Sequence, residues 1–288
     1  MTEEKNYTPD SPEAIVDEEI VDVTTSTRSY WKKHRRHLFF VLFGTIAIEV
    51  VLFLFMGASG GFIYIFPIMW PIIEYSSVSS KIQDEFIAQF AAANGYAFAA
   101  TGPFGTGRFF KLGHDRRASN IVTGMEKECP IQFYTYSYAI GYGKQRHEYS
   151  FTVFSIMFDT VMPEILLLSK DHVLGEGPVL EGTSVVKLEG DFDKHFSLHV
   201  PPGYEIEALE IFTPDVMAEL IDKGCWYSLE ISKRYLYLYV EYQMESKKDL
   251  NAMQDFARYF LDHVGPVLAQ MKPSLDSTVA ENTVLNAK

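Results

Sequence analysis

Hydrophobic and polar positions repeat on three scales along this chain, and each scale predicts a different element. The longest apolar run extends from Leu38 to Met56, LFFVLFGTIAIEVVLFLFM, nineteen residues with a single charge at Glu49. As an α-helix it is about 28 Å long, close to the roughly 30 Å of a bilayer's hydrocarbon core, so it predicts a membrane-spanning helix. A second apolar run, from Phe62 to Ile73, follows the turn-like G-A-S-G-G and contains Pro67 and Pro71. Residues 57–75 as a whole are long enough to cross. Prolines are tolerated in membrane helices when neighbours satisfy the freed carbonyls. Two crossings joined by the glycines, a transmembrane hairpin over 38–77, are the favoured reading. One crossing followed by an interfacial segment is its rival.

Beyond this region the period changes. Ile82, Phe86, Phe90 and Ala93 repeat at helical spacing behind Ser79 or Ser80 and stop at Asn94-Gly95. Extended runs follow at 96–100, 108–112 and 120–123. Two aromatic, alternating strands come next, at 131–140 and 148–158, and G-Y-G-K-Q-R-H between them predicts an antiparallel hairpin. Further strands are expected at 163–169, 184–188 and 195–200, after a helical turn at 191–196. Residues 205–211 lead into a helix capped by Thr213, opened by Pro214, buried through Met217, Leu220 and Ile221, and ended by Gly224. Residues 226–232 and 235–242 read as a second hairpin around Lys233-Arg234. Residues 248–271 read as an amphipathic helix through Leu250, Met253, Phe256, Phe260, Val264 and Leu268, kinked at Gly265-Pro266. The fold class is α+β, a mostly antiparallel sheet with packing helices, preceded by one or two transmembrane helices. Regular βαβ alternation is absent, which argues against a doubly wound nucleotide-binding fold.

Charge adds an orientation. The net charge of −13 divides into −7 for residues 1–22, +5 for 23–37, −2 for 38–75 and −9 for the remainder. Residues 1–27 form a disordered acidic tail. Residues 28–37, R-S-Y-W-K-K-H-R-R-H, are a basic juxtamembrane segment in which Arg28, Tyr30, Trp31, Lys32, Lys33, Arg35 and Arg36 suit the headgroup layer. The positive-inside rule puts the N-terminus in the cytoplasm, and under the hairpin the soluble domain at 78–272 lies there too. Residues 273–288 complete the chain as a flexible C-terminal tail. The cell (inner) membrane is the expected location, with the apolar run retained rather than cleaved as a signal. An acidic soluble domain without a basic patch argues against nucleic acid. Cys129 and Cys225 fit neither a disulfide framework nor a metal knuckle.

Candidate chemistry is sparse. The glycine run G-P-F-G-T-G at 102–107 lacks the Walker lysine and opens no helix, so it reads as a hairpin loop rather than a phosphate cradle. In G-H-D-R-R-A-S, His114 and Asp115 suit acid–base work and Arg116 an anion, although neighbours on a strand point to opposite faces. His195 and His199 alternate with apolar residues as a strand, about 13 Å apart, too far to chelate, and are expected on the solvent face. The tyrosines of 134–142 and 235–242 read as core and cover ahead of a ligand surface. Glu49, in mid-membrane, is a candidate for an ion or proton path, with a hydrogen-bonded structural role as the blander account.

Several stretches resemble a family of uncharacterised bacterial membrane-anchored proteins, a domain of unknown function. Residues 188–200 and 207–221 are similar to its Phe-x-x-x-Phe strand and Thr-Pro-x-x-Met-x-x-Leu helix through Phe192, Phe196, Thr213, Pro214, Met217 and Leu220; K-L-G-H-D-R-R resembles a second stretch. The resemblance spans residues 80–245. It implies one or two membrane segments ahead of a soluble part and brings structural roles without catalytic ones. The expected function is that of a membrane-anchored, non-enzymatic binding or scaffold module, with membrane lipids and a protein partner of unknown identity and no cofactor or metal. The alternative is a membrane-bound hydrolase with a polar site at His114, Asp115 and Arg116.

Overall fold

The computed structural model describes residues 22–57, 65–170, 181–188, 190–223, 227–242 and 245–285. The acidic tail up to residue 21, most of the glycine turn with Phe62, the stop at Gly224 and Cys225 lie outside them. Two compact units make up the chain, Met1–Asn94 with Glu245–Lys247, and Gly95–Met244 with Lys248–Lys288.

The first unit is helical: α1 Val23–Lys33, α2 Arg35–Met56 and α3 Ile65–Ala93. α1 takes in residues 23–27, which the sequence reading leaves in the tail. α3 joins what the sequence divides into a second apolar segment and a first domain helix, so the boundary expected at residue 78 falls inside a continuous helix. Pro67 lies in its first turn, where a missing backbone N–H costs least, and Pro71 in its second, where it removes one intrahelical bond. The helix stops as expected: the Asn94 side chain donates to Phe90 O at 2.9 Å and Gly95 takes φ +69°. Gln83, Phe86, Ile87, Phe90 and Ala91 are its buried positions, while Ala93 is exposed.

The second unit is α+β, as expected. Its seven-stranded antiparallel sheet runs β1 Ala97–Gly102, β2 His114–Glu126, β3 Cys129–Ile140, β4 His147–Ser169, β6 Phe196–Val200 and β5 Ser184–Val186, and β7 Ser228–Val240 also pairs with β4. Four helices complete it: α4 Phe192–His195, α5 Glu205–Ile211, α6 Pro214–Lys223 and α7 Lys247–Leu285. α7 passes through Pro266 and takes in most of the segment read as a C-terminal tail. On α6, Val216 and Leu220 are the buried pair, whereas Met217 and Ile221 are half-exposed.

Phase breaks explain where the sequence and the strands disagree. β7 is one strand, not a hairpin around Lys233-Arg234. Lys233 sits at φ +55° and the β4–β7 register slips there, so a bulge absorbs the break in alternation. Opposite it, Met157 pairs with Tyr235 and Met162 with Lys233, and β4 carries the extra residues between. Arg234 ties the two irregularities together, donating from Nε to Phe158 O at 3.2 Å and from Nη2 to Asp159 O at 2.9 Å. β2 behaves likewise. Asp115 and Asn120 take positive φ at its two register shifts, so the G-H-D-R-R-A-S stretch, which has the composition of a turn, is bulged strand.

One sheet face is aromatic. Tyr134, Tyr136, Tyr138, Phe151, Tyr237 and Tyr239 are all buried there, covered by Phe109, Phe110 and Leu112 from the β1–β2 connection. Phe109 stacks on Tyr239 at 4.2 Å, and Phe110 stands edge-on to both Tyr136 and Tyr237 at 4.9 Å. These aromatics form core and cover, as the alternation implies. The opposite face buries Ile131, Phe133, Phe154, Ile156, Leu236 and Leu238.

Candidate functional site

α2 begins with the exposed pair Arg35-Arg36, and from Phe39 to Phe55 it exposes apolar side chains on every side; Phe40 is 78% and Phe55 87% exposed. It is the one helix among the described residues long and apolar enough to cross a membrane, and none of that stretch is buried. A water-soluble core helix would be covered; this one needs an apolar solvent. Glu49 is half-exposed in this stretch, Ile73 is exposed on α3, and the side chains of Leu38, Met56, Pro67 and Pro71 lie outside the described residues.

Basic and aromatic groups gather at the N-terminal end of α2. Arg28, Lys32 and Lys33 are exposed on α1; Tyr30 and Trp31 are half-buried. Trp31 stacks on Tyr75 of α3 at 5.8 Å, and His37 Nε2 lies 2.5 Å from Glu74 Oε1. Residues 31–37 and 74–75 therefore sit at one level of this unit. Arg35 lies 5.5 Å from the centre of the Phe39 ring, a cation on an aromatic face.

The predicted polar cluster at the start of β2 does assemble, through the bulge at Asp115. His114 Nδ1 lies 3.1 Å from Asp115 Oδ2, against the expectation that these neighbours diverge. Each group is already committed. His114 Nε2 lies 2.8 Å from Gly141 O, and the ring stacks on exposed Tyr142 at 4.3 Å. Asp115 accepts a hydrogen bond from Arg146, and this bond, followed by the one to His114, holds its carboxyl below the usual range. Arg116 donates to Phe110 O at 3.0 Å. Neither ring nitrogen faces an open site, which a general base requires.

The sequence reading misses Glu230. On β7, between Leu229 and Ile231, it is fully buried beneath the β1–β2 connection. The residues expected as a strand at 108–112 instead form a 3-10 turn, Phe109–Lys111, and Glu230 holds its first amides: Arg108 N donates to Oε1 and Phe109 N to Oε2 at 3.1 Å. Burial pushes the carboxyl up to about 7, the two amides pull it down, and the nearby Glu164 carboxylate raises it. Arg108 donates from Nε to Glu164 Oε2 at 2.7 Å. The glycine loop's amides turn to the same face: Gly105 N donates to Tyr134 OH at 3.2 Å and Thr106 N to Tyr237 OH at 3.3 Å. Burial raises both phenols. These amides point into the sheet and are occupied, so the loop is no phosphate cradle. The sequence carries no local signal for this site, because alternation in S-L-E-I-S groups Glu230 with Ser228 and Ser232.

His199 is buried, not on the solvent face; its Nε2 meets Ser197 Oγ at 2.9 Å and burial lowers its pKa. His195 ends α4 and is half-exposed. Cys129 is a free thiol, raised by partial burial. No three of His, Cys, Asp and Glu converge to hold a metal among the described residues.

No family model matches the chain, and no curated protein matches it. Among solved structures it is similar to the crystal structure of the mycobacterial trehalose monomycolate transport factor A, TtfA. The identity is 11% and the TM-score 0.49, over 65% of this chain and 96% of that one.

Proposed function

We propose that this is a membrane-anchored, non-enzymatic protein whose α+β domain serves as a binding or scaffold module at the membrane surface. The observation that carries the reading is α2, a helix of bilayer length with apolar side chains uncovered all round and cations at its first turn. The stack of Trp31 on Tyr75 and the hydrogen bond between His37 and Glu74 support a return of α3 to the level where α2 begins. On that reading the N-terminus and the soluble domain share the cytoplasmic side, and α2 with the start of α3 makes the hairpin. The commitment of His114, Asp115 and Arg116 to structural bonds favours binding over hydrolysis.

The test has two parts. Full-length protein is expected to stay with membranes in alkaline carbonate and to float with liposomes; release as a detergent-free monomer overturns the anchor. An impermeant thiol reagent is expected to reach Cys129 only after cells are permeabilised and denatured. Labelling of unopened cells overturns the shared side. Crosslinking in intact membranes then looks for a reproducible protein partner.

A further inference from the structure

One polar atom at membrane depth on α2 has nothing to bond among the described residues. Glu49 Oε1 has no hydrogen-bond partner there, and Glu49 itself is half-exposed, so its carboxyl can turn toward a neighbouring helix. Eleven residues past Leu38, Glu49 lies about 16 Å into the span, near the middle of a roughly 30 Å core. One turn earlier, Thr45 spends its hydroxyl on Leu42 O at 2.7 Å. Glu49, Val50, Phe53 and Leu54, one stripe of the helix, line a concavity of about 460 Å³.

A carboxyl left unpaired in hydrocarbon costs several kcal/mol, the more so ionised. In its neutral form it offers an O–H donor and a C=O acceptor together, which makes it complementary to itself. Any other partner would have to bring a donor or acceptor to this depth. A second copy of α2 can do so, because a residue that lies at the axis of a two-fold interface faces its own copy. We infer that two copies of the chain associate in the membrane through their Glu49 carboxyls, with Val50, Phe53 and Leu54 packed around the pair. The inference rests on the anchor reading and gives Glu49 a partner instead of an ion path.

The test uses full-length protein labelled with donor or acceptor fluorophores in liposomes, with energy transfer followed as lipid dilutes the protein. Wild type is expected to keep transfer above the random-proximity level. Glu49→Leu makes the span more apolar, so insertion is retained, and it is expected to weaken association on the order of tenfold, the worth of two interhelical hydrogen bonds. Glu49→Gln keeps a donor and an acceptor and stays within about threefold of wild type. Wild-type transfer at the random level, or unchanged association in Glu49→Leu, overturns the inference. Carbonate extraction run beside it separates the failures: a carbonate-resistant monomer removes the pair alone, and a released protein removes the anchor as well.

Discussion

Glu49 and Glu230 are both carboxyls set among apolar residues, and they are treated in opposite ways. Glu49 stands on a helix whose own backbone amides are spent, and its Oε1 finds no donor among the described residues. Glu230 stands on a strand beneath a 3-10 turn, where the first amides are unpaired by construction, and it accepts two of them. A buried acid can complete a fold where backbone donors are left over. Where none are, its partner has to come from elsewhere.

Removing the satisfied carboxyl should have the largest effect. Glu230→Ala leaves the amides of Arg108 and Phe109 buried without an acceptor and opens a void beneath Phe109. The expected loss is about 3–4 kcal/mol of unfolding free energy, measured by denaturant titration of the full chain in detergent. A loss under about 1 kcal/mol would mean that water replaces the carboxylate.

The same residue carries a pH dependence whose sign follows from its raised value. Its carboxyl is held at about 7 in the folded protein against an ordinary 4.5. The folded state therefore binds the proton more tightly, and the stability this provides is complete below about 4.5 and lost as pH rises through 7. At about 1.4 kcal/mol per pH unit, the difference amounts to roughly 3 kcal/mol. Unfolding curves of wild type and Glu230→Gln, taken between pH 4.5 and 8, should diverge in slope over this window. Parallel curves would show that the two amides outweigh desolvation and hold the carboxyl near its usual range.

How much of this was legible in the sequence depends on whether a residue breaks its local pattern. Glu49 is the only charge in nineteen residues and could not be missed. Glu230 lies in S-L-E-I-S, where alternation makes an acid look like a solvent-face residue; the bulge at Lys233 sets it on the aromatic face with Tyr235, Tyr237 and Tyr239. That bulge also split β7 into two predicted strands, just as Asp115 and Asn120 disguised the first half of β2 as a turn. Where the phase was unbroken, as in β3 and the first half of β4, the strands and their pairing followed from the letters alone. The α+β class and α7's buried stripe were equally plain. His114, Asp115 and Arg116 stand out as a polar cluster in the letters, but their commitment to Gly141 O, Arg146 and Phe110 O depends on contacts as much as 31 residues apart in sequence.

A smaller effect tests how closely the connection sits on Glu230. A Cβ added at Gly107 would lie 2.5 Å from Glu230 Oε1, too near for any atom, so Gly107→Ala must displace the carboxylate or the turn. Overpacking of this kind costs about 1–3 kcal/mol. Tyr237→Phe, which removes the acceptor for Thr106 N together with the phenol's bond to the Thr106 side chain, should cost about 1 kcal/mol in the same assay. Were Tyr237→Phe to cost more than Gly107→Ala, the phenol and not the carboxylate would be what holds the loop.

The smallest expected effect is the most pointed, because it concerns the acid that has no internal partner. Since Glu49 Oε1 bonds to nothing among the described residues, Glu49→Gln should leave the denaturant unfolding of the α+β unit unchanged, within about 0.5 kcal/mol. The same carboxyl-to-amide exchange at Glu230 replaces one of two acceptor oxygens with a donor that faces Phe109 N or Arg108 N, and there it must cost stability at low pH. Near-Ultraviolet circular dichroism in detergent reports the packed aromatics of the second unit and so reads both variants on one signal. If Glu49→Gln shifts that transition as far as Glu230→Gln does, the two acids belong to one cooperative structure, and the unpaired oxygen of Glu49 is a structural member rather than a group awaiting a second chain.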